Sequence, residues 1–82
     1  MYTEKLNKPT FETISAAIQN HPAAQNVDPD KCAALGAEGI KALIESKIDS
    51  IEWKTSAKTP SELQEHSNLE SNIVQEVIAS IS

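Results

Sequence analysis

The sequence predicts an all-α domain, a small bundle of three main helices open to breakage into five short pieces. Three observations carry this. Apolar residues recur at helical spacing along most of the chain. Proline and polar cap residues stand where the periodic stretches begin. Strand signals are missing, apart from a faint alternation in Ile48-Asp49-Ser50-Ile51-Glu52-Trp53. At 82 residues there is room for one domain. We read residues 1–8 as a polar N-terminal arm and 9–82 as the helical domain.

The first helix is expected at 9–20. Pro9 suits a first helical turn, and Phe11, Ile14, Ala17 and Ile18 share a face. Asn20-His21-Pro22 ends it, because the residue before a proline is pushed out of the α region. Residues 21–27 then read as a connection. Asp28 can cap a second helix with Pro29 at its first position, and Val27 and Cys32 occupy the two positions of a hydrophobic staple. Ile40, Ile44, Ile48 and Ile51 form a narrow stripe, with Leu35 off its phase. That phase break puts a bend or stop near Gly36, giving a short helix at 29–35 and a longer one at 38–53. A polar connection follows. Thr59-Pro60-Ser61-Glu62 is a capping box with proline in the first turn. A second box, Ser67-Asn68-Leu69-Glu70, leaves two options: one helix over 60–81, or a turn at 67–68 dividing it. On a continuous helix Glu70 falls near the middle of the stripe of Leu63, Leu69, Ile73, Val74, Val77, Ile78 and Ile81, where burial is expensive. The divided form, with Ser67 as a cap, is therefore the expectation.

Composition removes several function classes. Hydrophobic residues are 39% and charged residues 23%, a globular balance, with a formal net charge of −5. All seven basic residues are lysines, with no arginine for bidentate phosphate or guanine contacts, which argues against direct nucleic-acid binding. No apolar run approaches a bilayer span, and the N-terminus lacks the apolar centre of a signal peptide. With Cys32 the only thiol, the expected location is the cytoplasm.

Nothing in the pattern points to catalysis, a cofactor or a metal. His21, His66 and Cys32 match no metal-ligand spacing, no serine stands in a nucleophile elbow, and Leu35-Gly36-Ala37-Glu38-Gly39 is too short and acidic to cradle a phosphate. His66 and Glu70 stand four apart and can interact. In the divided form His66 lies in the last turn of a short helix, where the dipole favours a positive imidazole. Cys32 reads as structural.

Asp49-Ser50-Ile51 resembles the Asp-Ser-Leu tripeptide of acyl carrier proteins, which are also short, acidic, helical and poor in aromatics. The resemblance implies phosphopantetheine on Ser50. In that family the serine opens a helix; here Ile44 to Ile48 runs helically into it.

Two surface features remain. Trp53 is the only tryptophan and sits at an element boundary, where an aromatic can anchor an interface or cover the end of a bundle. Glu62, Glu65, Asn72 and Glu76 lie along one side of the C-terminal region, which holds no lysine from Thr59 to Ser82. A chain this small is marginal alone, so partner binding or self-association is the natural remedy. The expectation is a small acidic helical protein acting by protein–protein binding, an inhibitor or adaptor docking a basic partner surface through Trp53, Glu62, Glu65, Asn72 and Glu76. One alternative is a self-assembling homo-oligomeric subunit. The other is a carrier using Ser50.

Overall fold

The computed structural model describes residues 2–82. Its order is β1 (Glu4–Lys5), α1 (Phe11–Gln19), a 3₁₀ turn (Pro22–Asn26), α2 (Pro29–Asp49), β2 (Ser56–Ala57) and α3 (Pro60–Ser80). The fold is all-α, with three main helices of which one is broken.

The cap of α1 is Thr10, whose hydroxyl accepts from the Thr13 N–H at 3.3 Å, so the helix starts two residues later than Pro9 suggested. Pro9 is buried just ahead of it. The expected connection at 21–27 holds the 3₁₀ turn, with His21 Nδ1 accepting from the Ala23 N–H at 3.1 Å. Asp28 caps α2 as read from the sequence, accepting from the Asp30 N–H at 2.9 Å, with Pro29 in the first turn. Val27 and Cys32 are both half-buried against the core, as a staple requires.

The break in α2 falls on Gly36, with φ 73° and ψ 171°. That region of backbone space is essentially restricted to glycine. It is also the one positive-φ residue among the described residues. Beyond it α2 ends at Asp49, four residues short of the expected Trp53. Ser50 tightens the last turn: its hydroxyl donates to the Lys47 carbonyl at 2.8 Å, and the Ile51 N–H donates to Ile48 at 3.3 Å. The alternating segment at 48–53 is therefore a helix end and not a strand.

The C-terminal helix is continuous. Thr59 caps it through the Glu62 N–H, and nothing interrupts residues 60–80. The expected turn at Ser67 is wrong, and with it the placement of His66 in a last turn. Glu70 resolves the apparent conflict by lying at the edge of the apolar arc. Its side chain is 33% exposed and its Oε1 is 3.2 Å from His66 Nδ1.

The core is built from branched aliphatic side chains. Ile14 of α1, Ile44 and Ile48 of α2, and Ile73, Val74, Val77 and Ile78 of α3 are buried together with Ile81. Each of the three helices packs on the other two. Isoleucine and valine are mediocre helix formers; burial worth about 1.5–3 kcal/mol per side chain overrides that preference. No polar or charged residue is buried among the described residues.

The arm is paired rather than loose. β1 runs antiparallel to β2, with Glu4 opposite Ala57 and Lys5 opposite Ser56. Leu6 and Ala57 are buried there, outside the main cluster. The body measures 50 × 22 × 16 Å with a radius of gyration of 14.1 Å, against about 12 Å expected for a compact chain of this length. An elongated shape leaves more surface per buried side chain. Among the described residues no helix is long and apolar enough to cross a membrane.

Candidate functional site

The end of α2 leaves carbonyls without helical partners, and the chain turns there toward α3. Trp53 adds a donor to one that has only a tightened-turn bond from the Ile51 N–H: its indole N–H donates to the Ile48 carbonyl at 2.8 Å. The indole is thereby fixed, with its polar atom spent inside the molecule. Its ring meets His66 of α3 edge-on, centroids 5.1 Å apart at 63°.

His66 joins three parts of the chain. Its side chain is 11% exposed. Nε2 lies 3.1 Å from the Asn7 carbonyl oxygen and Nδ1 lies 3.2 Å from Glu70, so each ring nitrogen faces an acceptor. The Leu6 N–H donates to the Thr55 carbonyl at 2.9 Å, tying the arm to the same loop.

A cleft of about 80 Å³ results, with Leu6, Trp53 and Leu69 as its apolar lining and Glu52, Glu62 and Glu65 as its carboxylates. An open groove of about 600 Å³ continues outward past Lys54, Thr55 and Ser56. Lys54 Nζ stands 3.4 Å from Glu62 and 4.0 Å from Glu65. The narrow cleft alone is well below the roughly 300–1,000 Å³ of small-molecule sites, whereas the open groove beside it falls within that range. Its chemistry is that of a surface notch that receives a side chain.

Trp53, Glu62 and Glu65 thus come together. Asn72 and Glu76 lie further along α3, Glu76 about 16 Å of helix rise beyond Glu65. Both are exposed, and Glu76 pairs with Lys47 of α2 at 3.4 Å. Sequence reasoning did not assign Leu6, Lys54, His66 or Leu69 to this site. The available signals were Leu6 as the lone aliphatic residue of a polar arm, and the i, i+3, i+6 spacing of Leu63, His66 and Leu69 on one arc.

Ser50 is exposed at the C-terminal end of α2, the opposite helix end from that implied by the carrier resemblance. Cys32 is half-buried. Among the described residues no three His, Cys, Asp or Glu side chains gather where they could hold a metal ion. In comparisons with known proteins, no family model, curated protein or solved structure matches the chain.

Proposed function

We propose that this chain works by binding another protein, docking a basic surface on the Trp53 cleft as an inhibitor or adaptor, and that it is not an enzyme. One observation carries the reading: an immobilised tryptophan with no free polar atom stands beside Glu52, Glu62 and Glu65 at the mouth of an apolar notch sized for a side chain. Aromatic anchors surrounded by charge supply affinity and orientation together. The stretch from Thr59 to Ser82 holds no lysine of its own, and its carboxylates, offset in part by Lys54 beside Glu62 and Glu65 and by Lys47 beside Glu76, would speed encounter with a cationic partner.

Self-assembly is the second reading, favoured by Leu35, which is 43% exposed at the Gly36 break. Size-exclusion chromatography with light scattering separates the two. The binding reading expects a monomer that forms a stoichiometric complex with a basic protein partner at about 0.1 M salt and loses it near 1 M. Charge reversal by Glu62→Lys with Glu65→Lys abolishes that complex and leaves the helical signal intact. A salt-insensitive oligomer of the chain alone selects self-assembly. A mass increase on Ser50 after treatment with a phosphopantetheinyl transferase selects the carrier reading.

A further inference from the structure

We infer that the cleft receives an arginine next to an aliphatic side chain on the partner, and that Lys54 occupies the arginine's place in the free protein. This rests on the binding reading above. The apolar cleft comes first: with Leu6, Trp53 and Leu69 in its lining and about 80 Å³ of room, it suits the tip of one aliphatic side chain.

Charge then selects the neighbour. Glu62 and Glu65 stand one helical turn apart, and Lys54 already sits between them, at 3.4 and 4.0 Å. Those contacts are long for an ammonium: its three donors could serve both carboxylates, yet from its place on the loop it approaches neither closely. A guanidinium presents a planar fork of five donors, the geometry suited to adjacent carboxylates. Lys54 is 60% exposed, so its contacts are weak and exchange readily. Glu62 is only 27% exposed, and a partly desolvated carboxylate keeps a counter-cation close. Lys54 thus acts as a tethered competitor whose removal strengthens binding.

The test uses the full chain, ¹⁵N-labelled, titrated with blocked tetrapeptides acetyl-Gly-Arg-Leu-Gly-amide and its Lys and Gln counterparts. Ionic strength is kept near 0.01 M, where the Debye length is about 30 Å. The arginine peptide is expected to shift the Trp53 indole N–H and the Glu62 and Glu65 amides, the lysine peptide less so, and the glutamine peptide not at all. Lys54→Met is expected to tighten the arginine peptide roughly 2- to 5-fold, the gain that corresponds to losing an exposed ion pair. Equal affinity in wild type and Lys54→Met, with shifts at Trp53, overturns the competitor role and leaves the binding reading standing. Shifts from arginine and glutamine peptides alike, or shifts that miss Trp53, overturn the arginine assignment. The salt-dependent complex with a basic protein then decides the broader reading separately.

Discussion

The two ends of this molecule are held by different forces. In the three-helix core, Ile14, Ile44, Ile73 and Val77 are fully enclosed, chiefly by aliphatic side chains with Phe11, Cys32 and Trp53 packed at the margin, and no polar residue is buried. At the arm end, two residues pair with two, Leu6 and Ala57 are buried in a separate small patch, and directional bonds do the joining: His66 to Asn7, Leu6 to Thr55, Trp53 to Ile48. Packing is distributed over many contacts and gives way as a whole. A few hydrogen bonds near the surface open one by one, so the arm end is the region of lower local stability. It is also where apolar and charged groups meet at the surface, which is what recognition needs.

The contrast can be broken most forcefully from the core. Ile14→Ala, at a position with no exposure, is expected to cost about 2–5 kcal/mol and lower the melting temperature of every helix together. A melt in which α1 is lost alone would show that the bundle is not one cooperative unit. Gly36→Ala comes next. Nothing lies within 4 Å of where its Cβ would stand, so the cost is backbone strain alone, about 1–3 kcal/mol in chemical denaturation.

His66→Ala sharpens the comparison, because it should separate the two ends. The backbone amide of Leu6, bonded to the Thr55 carbonyl, is expected to lose hydrogen-exchange protection, while those around Val77 keep theirs. The global loss is about 1 kcal/mol. Equal loss of protection in arm and core would mean that the ends are not independent.

The smallest effect lies at Tyr2. Its phenol is held above the usual 10.0, first by partial shielding from water and then by its hydrogen bond and proximity to Glu4. The folded arm therefore keeps the phenol proton longer than the unfolded chain does. The arm's gain from this contact is present below pH 10 and is lost as pH rises through the folded value. Absorbance of the phenolate should show a midpoint above that of free tyrosine, and Glu4→Gln should bring it down.

What the sequence made legible were features decided within a few residues. Asp28-Pro29 and Thr59-Pro60 mark real helix starts because a cap needs only its own N–H partner two or three residues on. The phase slip between Leu35 and Ile40 located the break at Gly36. The same local logic misled at Ser67 and Glu70, where a second capping box suggested a turn. The deciding contact, His66 with Glu70, makes the continuous helix acceptable without burying a bare carboxylate. At Pro9 a permitted helix start hid the better cap, Thr10, one residue later.

The site was harder to see. Trp53 with Glu62 and Glu65 could be proposed from type and spacing. The arm that completes the cleft could not, since Glu4 and Lys5 pair with residues about fifty positions away. A two-residue ladder carries no periodicity to betray it.

The break at Gly36 has a mechanical consequence. The first two turns of α2 are tied to the far terminus, with the Asp28 N–H donating to the Ile81 carbonyl and Lys31 to Ser82. The later turns carry Ile44 and Ile48 into the bundle. Any swing of one segment relative to the other is confined to a single pivot, and its torque enters the core through Ile81 before it reaches Ile44 and Ile48.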